Sequence, residues 1–259
     1  MRRCFIFGLG YSAGRIASAL EARGWEIVST GRAGTLSFDD SANVRLALAD
    51  ADAVLSSVPP SADGDPVLAS YGADITAHKV VYLSSTGVYG DTGGAWVDET
   101  APTGTGRRTA RADADAAWLE RGARVLRLPG IYGPGRSALE RVREGRAHRI
   151  DLPGQVFSRV HVDDIVSGAL AAFAAPPGAY NLADDEPASQ NAVIEEACRL
   201  LGIAPPPLQT LDEAGLSPMA LGFYAENRRV ANGKAKRVLD WRPRYPSYRE
   251  GLRALLASR

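Results

Sequence analysis

A glycine-rich turn near the start of the chain constrains the fold more than any other feature of the sequence. Residues 8–13 read Gly-Leu-Gly-Tyr-Ser-Ala, a G-x-G-x-x-A pattern. The β-rich run Arg3 to Phe7 precedes the turn, and Ser12 to Arg23 follows it with apolar residues at helical spacing. A strand that turns sharply into a helix at closely spaced glycines is typical of the first unit of a parallel α/β sheet.

The alternation of strand and helix continues through the first half of the chain. Apolar, β-branched runs predict strands at Glu26 to Thr30, Ala53 to Val58, Val80 to Ser84 and Ala123 to Leu128. Parallel neighbours of this kind are joined by right-handed crossovers. The order therefore predicts an α/β fold with a Rossmann-type doubly wound parallel sheet.

Composition excludes several classes of protein. The chain has 259 residues, and its 30 basic residues balance its 30 acidic ones without forming a basic block. We therefore expect no nucleic acid and no membrane surface as a partner. Gly8 ends the first apolar run too early for a secretory signal, so we expect a cytoplasmic protein. Cys4 and Cys198 have no ligand spacing around them, so we expect reduced thiols and no metal site.

The glycine turn also predicts a ligand. Glycines at positions 8 and 10 let the backbone approach a diphosphate, and the free amides of Tyr11, Ser12 and Ala13 at the start of the helix would bind its charge. The alternative is a turn with a structural role only. We also place Ser57 and Pro59, which follow the Ala53 strand, and Ser84 in the expected dinucleotide site.

The second strand indicates which dinucleotide is preferred. NAD binding is typically marked by Asp or Glu at the end of this strand, but the sequence here reads Ser29-Thr30-Gly31-Arg32. Without a carboxylate to repel a 2'-phosphate, and with Arg32 available to pair with one, we expect NADP in preference to NAD. The alternative is that Arg32 is an exposed loop residue.

The second half of the chain is less regular. We predict helices at Ser137 to Arg146, at Asp164 to Ala174, from Ser189 to Gly202 and after Tyr248, with a strand at Ala179 to Leu182. We expect residues 1–155 to form a dinucleotide-binding domain that contains a catalytic helix. Residues 156–259 would return strands and a helix to that core and add a small C-terminal α/β lobe for substrate. The active cleft would lie between them.

Several ordered motifs give the chain a resemblance to a known family. They are Gly8-Leu9-Gly10, Val81 to Ser85 with Val88-Tyr89-Gly90, Leu126 to Gly135, His161-Val162-Asp163-Asp164, Tyr180-Asn181-Leu182, and Asn232-Gly233-Lys234 to Gly251-Leu252. On these motifs the chain resembles an extended or atypical short-chain dehydrogenase/reductase of the NAD-dependent epimerase/dehydratase kind, and within it the YeeZ-like branch.

The resemblance implies a catalytic site with two replaced residues. The family's catalytic Ser or Thr falls on Ser85, whose hydroxyl would bind the reacting oxygen, and Pro129 and Ile131 would lie beside the nicotinamide. The family's Tyr falls on Thr105 and its Lys on Thr109. The alternative is that the two threonines simply begin a helix.

The replacement removes the usual proton donor but not the positioning of the reactants. A threonine hydroxyl does not titrate usefully, and losing a positioned acid or base costs about 10²- to 10⁴-fold in rate. Holding the hydride donor and acceptor together contributes roughly 7 to 11 kcal/mol, so turnover can survive. We take Tyr89 and Tyr132 as candidate replacements, with Arg107 or Arg108 as a fixed charge.

The remaining candidates are three arginines and one histidine motif. Arg136, Arg159 and Arg228 lie where the resemblance would place substrate-facing residues, and guanidinium groups suit an anionic substrate. His161 suggests a metal or acid/base role, but the spacing fits no metal geometry. We expect His161 to end a strand, with its ring satisfied by hydrogen bonds, and Asp163 or Asp164 to cap a helix that starts at Ile165.

The sequence thus predicts an NADP(H)-preferring oxidoreductase or epimerase-like protein that acts on a small carbonyl or alcohol, as a monomer or homodimer. The alternative is a non-catalytic, NADP(H)-bound sensor or partner-binding protein.

Overall fold

The structure is a computed structural model, and it describes residues 2–106 and 109–258. Its strands are β1 (Arg2–Phe7), β2 (Trp25–Ser29), β3 (Ala53–Ser56), β4 (Lys79–Ser85), β5 (Trp96–Val97), β6 (Arg124–Leu128), β7 (Gly130–Tyr132), β8 (Arg149–Ile150), β9 (Arg159–His161), β10 (Gly178–Asn181), β11 (Leu208–Gln209) and β12 (Arg229–Val230).

The helices are α1 (Tyr11–Glu21), α2 (Ser41–Ala49), α3 (Pro66–Tyr71), α4 (Thr109–Glu120), α5 (Ala138–Arg143), α6 (Val162–Ala172), α7 (Gln190–Leu201), α8 (Pro218–Tyr224), α9 (Gly233–Val238) and α10 (Tyr248–Ala257), with 3-10 turns at Gly72–Asp74 and Thr86–Tyr89. Within residues 2–106 and 109–258, no helix is long and apolar enough to cross a membrane. The same residues contain no cluster of His, Cys, Asp or Glu that could hold a metal ion.

Six parallel strands form the central sheet and confirm the predicted fold class. Their order is β10-β6-β4-β3-β1-β2. The chain leaves β1 toward β2 on one side and returns to β3 on the other. In such a sheet ligands bind outside the carboxyl ends of the strands where the order reverses, and here that point lies between β1 and β3.

Both faces of the sheet are covered, because successive side chains of its strands point to opposite sides. Cys4 and Ile6 of β1 face a core layer that also contains α1 and α6. Phe5 and Phe7 face the opposite layer, which contains residues of α2, α3 and α4. A third cluster joins α5, α7 and α10 in the C-terminal half. Strand β10, from the second part of the chain, pairs with β6 of the main sheet. The division of the chain at residue 155 stays a prediction.

The predicted cap of the helix after His161 is wrong. Helix α6 begins at Val162, and His161 is its N-cap, since its Nδ1 atom accepts the backbone N–H of Asp163 at 3.2 Å. His161 does end strand β9, but its Nε2 atom is buried and has no partner among the described residues. Asp164 instead accepts the backbone N–H groups of Arg244 and Tyr245 at 2.6 and 3.2 Å, so it fastens the C-terminal segment to the core.

A buried ion pair connects the sheet to helix α4. Arg127 of β6 donates to both carboxylate oxygens of Asp115, with the shortest contact at 2.6 Å, and both side chains are at most 4% exposed. Ser84 of β4 donates to the same carboxylate at 2.6 Å, and Arg127 also donates to the hydroxyl of Tyr89 at 3.0 Å. Burial alone would lower the pKa of Arg127, but the hydrogen bond to Asp115 holds it above its ordinary value.

A second buried carboxylate lacks such a partner. Asp184, which follows β10, is 2% exposed, and neither of its carboxylate oxygens accepts a hydrogen bond of normal geometry from a described residue. Burial raises its pKa to about 8, although the charge of Arg159 and the amide of Glu186 act in the opposite direction. Burial therefore favours the protonated form of this carboxyl group in the folded protein.

We predict that Asp115→Asn strongly destabilises the fold, because it leaves the Arg127 guanidinium buried without a counter-charge. Breaking a buried pair in this way costs about 3–5 kcal/mol in the free energy of unfolding. The matched control is Asp74→Asn, which breaks the solvent-exposed pair with Arg45 and should cost less than about 1 kcal/mol. Urea denaturation measures both, and similar losses for the two variants would contradict the role assigned to the buried pair.

We predict a pH-dependent stability that Asp184 causes. Its folded pKa lies above the unfolded value of about 4, so the folded state loses stability as pH rises from about 4 to about 8 and loses no more above that. Asp184→Asn removes this loss, so its melting temperature relative to the wild type should increase across the same range. The control Asp74→Asn removes a half-exposed carboxylate that pairs with Arg45, and it should leave the pH dependence of the melting temperature unchanged. A constant difference between Asp184→Asn and the wild type at all pH values would contradict the assignment.

Candidate functional site

The glycine turn lies at the point where the strand order reverses. Gly8 has φ +80°, and a Cβ atom there would stand 3.0 Å from the side chain of Val58, so the position requires glycine. The N–H of Leu9 donates to the carbonyl of Thr30 at 2.8 Å, and the hydroxyl of Ser57 donates to the carbonyl of Gly8 at 2.5 Å. The ends of β2 and β3 thus fix the shape of the turn.

The first turn of helix α1 has the features of an anion site. Gly10 is its N-cap, no side chain caps it, and its first turn contains no acidic residue. A Cβ atom on Gly10 would meet nothing within 4 Å, so open space adjoins the turn. Ser12 and Ala13 bury their side chains, so only their backbone amides are available to a ligand. An uncapped helix start beside open space fits a diphosphate.

The residues predicted at the adenosine end lie next to this turn. Gly31, with φ +117°, approaches the turn so closely that a Cβ atom on it would lie 2.9 Å from the amide nitrogen of Leu9. Arg32 follows directly and is exposed, with no carboxylate among the described residues at ion-pair distance. Pro59 is exposed and lies two residues beyond Ser57. Arg32 is thus the neighbour in sequence of Gly31, which contacts the glycine turn.

Ser85 lies at the same carboxyl edge of the sheet, at the end of β4. It is half-buried, and its Oγ atom accepts the backbone N–H of Gly87 at 3.1 Å. Because Ser85 pairs with Leu128 in the register of β4 and β6, Pro129 lies one residue beyond its partner. Pro129 and Ile131 are both half-buried. The structure therefore brings Ser85, Pro129 and Ile131 to one edge.

The hydroxyl of Ser84 points away from this edge. Because side chains alternate along a strand, Ser84 faces the interior, where it donates to Asp115. Its predicted contact with the cofactor can involve only its backbone. Sequence reasoning missed the role of Asp115, although a charged Arg127 within an apolar strand was a signal that a buried partner had to exist.

Tyr89 and Tyr132, the predicted replacements for the missing tyrosine, are buried. The Tyr89 hydroxyl donates to the side chain of Asn181 at 2.8 Å and accepts from Arg127. The Tyr132 ring packs against Gly251, and its hydroxyl lies 3.5 Å from the carbonyl of Ser247. Burial raises the pKa of both phenols. Neither position favours proton transfer to a substrate at Ser85.

Thr105 lies close to the turn that follows Ser85. Its hydroxyl donates to the carbonyl of Tyr89 at 2.9 Å, so it serves the backbone of the turn. Thr109 is exposed and begins helix α4. Arg107 and Arg108, the predicted fixed charges, lie outside the described residues. Thr105 therefore has a neutral hydroxyl that is already engaged by the backbone, and its correspondence to the family's tyrosine stays a prediction.

The three candidate arginines have different surroundings. Arg136 is exposed, with its guanidinium 4.9 Å from the ring centre of Tyr11, near the diphosphate turn. Arg159 is buried, and it donates to two backbone carbonyls at 2.8 Å and to Gln190. Arg228 donates to the carbonyl of Gly90 at 2.6 Å, on the turn that follows Ser85. Of the three, Arg228 is the one with a hydrogen bond to the turn that follows Ser85.

A groove of about 490 Å³ lies between helices α1 and α6. It is lined by Gly10 and Tyr11 at one end and by Arg15 and Ser18 further along α1. None of its lining residues comes from β4 or β6, so it adjoins the diphosphate turn without including the edge where Ser85 lies.

Two curated proteins are similar in sequence. Protein YeeZ of Escherichia coli K12 is 28% identical over 254 residues, which cover 83% of this chain and 89% of YeeZ. A 3-diazoavenalumate denitrifying reductase of Streptomyces is 37% identical over 140 residues, which cover 49% of this chain. The matched part spans less than half of the reductase, 45% of its length. No protein-family model matches the chain.

Solved structures share the fold over the whole chain. A conserved protein of unknown function from Silicibacter pomeroyi DSS is 41% identical, with a TM-score of 0.88, 100% of this chain covered and 99% of the other. The human epimerase family protein SDR39U1, solved with NADPH, is 16% identical with a TM-score of 0.78, and 99% of this chain and 100% of that one are covered. These likenesses confirm the predicted resemblance to YeeZ and the predicted fold, which the chain shares with proteins of the NAD-dependent epimerase/dehydratase kind.

Proposed function

We propose that the protein is an NADP(H)-preferring oxidoreductase or epimerase-like enzyme that acts on a small carbonyl or alcohol substrate at Ser85. One observation carries the proposal. The uncapped start of α1 and the hydroxyl of Ser85 lie at the same carboxyl edge of the sheet, on strands separated only by β3. A dinucleotide bound at the glycine turn can extend along this edge toward Ser85.

The residues at this edge fit the parts of the cofactor. The amides at the start of α1 would bind the diphosphate, Arg32 would bind the 2'-phosphate, and Pro129 and Ile131 would contact the nicotinamide. The NADPH in the human SDR39U1 structure, which has the same fold, supports a nicotinamide dinucleotide. When bound, the reduced cofactor supplies a hydride.

The Ser85 hydroxyl has the geometry of a donor to a substrate oxygen. Because its Oγ atom accepts the N–H of Gly87, its own proton is left to donate. In carbonyl reduction a hydride is added to the carbon and a proton to the oxygen, which yields the alcohol and NADP⁺. Thr105 does not titrate, so we propose that this proton comes from solvent through the half-buried Ser85 hydroxyl.

A second candidate reaction is reduction of a diazo group. The similarity to the 3-diazoavenalumate denitrifying reductase favours it. Hydride addition to the terminal nitrogen of an aryl diazonium ion gives a neutral aryl diazene. Its C–N bond then breaks with release of N2, and the N–H proton passes to the ring carbon, so the reaction requires no phenol to donate a proton. Threonine at positions 105 and 109 is compatible with such an acceptor.

We predict that stereospecifically deuterated NADPH transfers its label to the carbonyl carbon of at least one member of a panel of small carbonyl compounds. The second candidate reaction predicts instead NADPH-dependent release of N2 from an aryl diazonium compound, because a deuterium on nitrogen exchanges with water. With a carbonyl acceptor, Ser85→Ala should lower kcat about 10²- to 10³-fold, because a hydrogen bond to the reacting oxygen is lost, and should leave the Kd for NADPH unchanged. The control is Ser70→Ala, which removes an exposed hydroxyl on α3 and should change neither quantity.

Mass spectrometry of the products and calorimetry of the cofactor give the two readouts. NADPH binding without transfer of deuterium to any member of the panel would contradict the proposed activity and support the sensor alternative.

A further inference from the structure

Arg228 links the C-terminal part of the chain to the turn that holds Ser85. It directly precedes β12, which pairs with β5. One nitrogen of its guanidinium, Nη1, donates to the carbonyl of Gly90 at 2.6 Å and to the carboxylate of Glu226 at 2.9 Å. The Arg228 side chain is 16% exposed. Two hydrogen bonds from a single nitrogen therefore fix the position of the group.

A small space separates Arg228 from Ser85. The position that a Cβ atom on Gly87 would occupy lies 3.3 Å from Ser85 Oγ and 4.0 Å from Arg228 Nη2. No other described residue outside the neighbours of Gly87 comes within 4 Å of that point. The Nη2 and Nε atoms of Arg228 donate no hydrogen bond to a described residue. A hydroxyl donor and a guanidinium edge thus border the same space over Gly87.

The chemistry of this pair selects a class of ligand. The Ser85 hydroxyl suits a carbonyl oxygen, and a guanidinium edge suits a carboxylate through charge-assisted hydrogen bonds. The carboxylate of Glu226 accepts a hydrogen bond from Nη1 and offsets part of the charge of Arg228. Partial burial strengthens the remaining attraction, because a low local dielectric screens charge less than water does. Arg159, by contrast, has its guanidinium committed to internal acceptors.

We propose that Arg228 is a specificity-determining residue that binds the carboxylate of a carbonyl-bearing carboxylic acid, while Ser85 binds its carbonyl oxygen. This inference rests on the proposed function for the role of Ser85. It adds the substrate class: small oxo acids whose carboxylate lies close to the reacting carbonyl group. The name of the similar Streptomyces reductase, whose substrate is itself a carboxylate, is consistent with this class.

The test compares benzoylformate with its methyl ester, two carbonyl compounds that differ in the carboxylate charge. Their binding to the NADP⁺-loaded protein and to the protein without cofactor is measured by calorimetry. Arg228→Gln should weaken the binding of benzoylformate about 10- to 100-fold and change the binding of the ester and of NADP⁺ less than twofold. Arg228→Lys, which keeps the charge but loses the planar fork, should recover part of the affinity for the acid.

Two further variants separate binding from folding. Arg242→Gln removes an exposed guanidinium elsewhere in the C-terminal part and should leave the affinity for both compounds unchanged. Gly87→Ala keeps both anchors of Arg228 but fills the space beside Ser85, so it should also weaken binding of the acid. Melting temperatures of the four variants show that each is folded.

The outcomes distinguish this inference from the proposed function. Arg228-dependent binding of benzoylformate without deuterium transfer would support the inference and contradict the activity. Deuterium transfer to acid and ester alike, independent of Arg228, would support the activity and overturn the inference. The absence of benzoylformate binding at about 10 mM would also overturn it. Equal losses of affinity for the acid and the ester in Arg228→Gln would do the same.

Discussion

The buried ion pair between Arg127 and Asp115 sets the geometry of the edge on which the candidate site lies. Its members come from β6 and α4, and it also binds Ser84 of β4 and the hydroxyl of Tyr89. Since Ser84 is fixed inward, alternation along the strand directs Ser85 to the opposite side. A buried pair gives little net stability, but removal of one member is costly, so the contacts around it hold together as a unit.

The rest of the site is built from chain ends that converge at the same edge. Thr30 and Ser57, after β2 and β3, fix the glycine turn through its backbone. Arg228 reaches the turn after Ser85 from the far end of the chain. In the proposed function, the cofactor would thus be bound by the first half of the sequence, and the substrate would also contact Arg228 from the second half.

Local pattern was enough to predict the parallel sheet, because each strand is a short apolar run and the glycine turn marks the first crossover. The roles of Ser85, Thr105 and Thr109 came from the family resemblance, and they stay predictions. Local pattern could not show that the hydroxyls of Tyr89 and Tyr132 are buried, since that depends on Asn181 and on α10, which are distant in sequence. The predicted cap of α6 was wrong for a similar reason. The carboxylate of Asp164 accepts the backbone N–H groups of residues 244 and 245, which are distant in sequence, and His161 caps the helix instead.

The central claim is that the start of helix α1 binds the diphosphate of a nicotinamide dinucleotide, and calorimetry of the variant Gly10→Asp tests it most directly. Gly10 has φ −100° and open space beside it, so aspartate fits there without strain and is a favourable N-cap residue. Its carboxylate would occupy the anion position. The account predicts that the wild type binds NADPH more tightly than NADH. Gly10→Asp should keep or raise the melting temperature. Its affinity for NADPH should fall at least 100-fold, a loss of ~3 kcal/mol in binding free energy. Unchanged NADPH affinity in the folded variant, or no binding of either dinucleotide to the wild type, would contradict it.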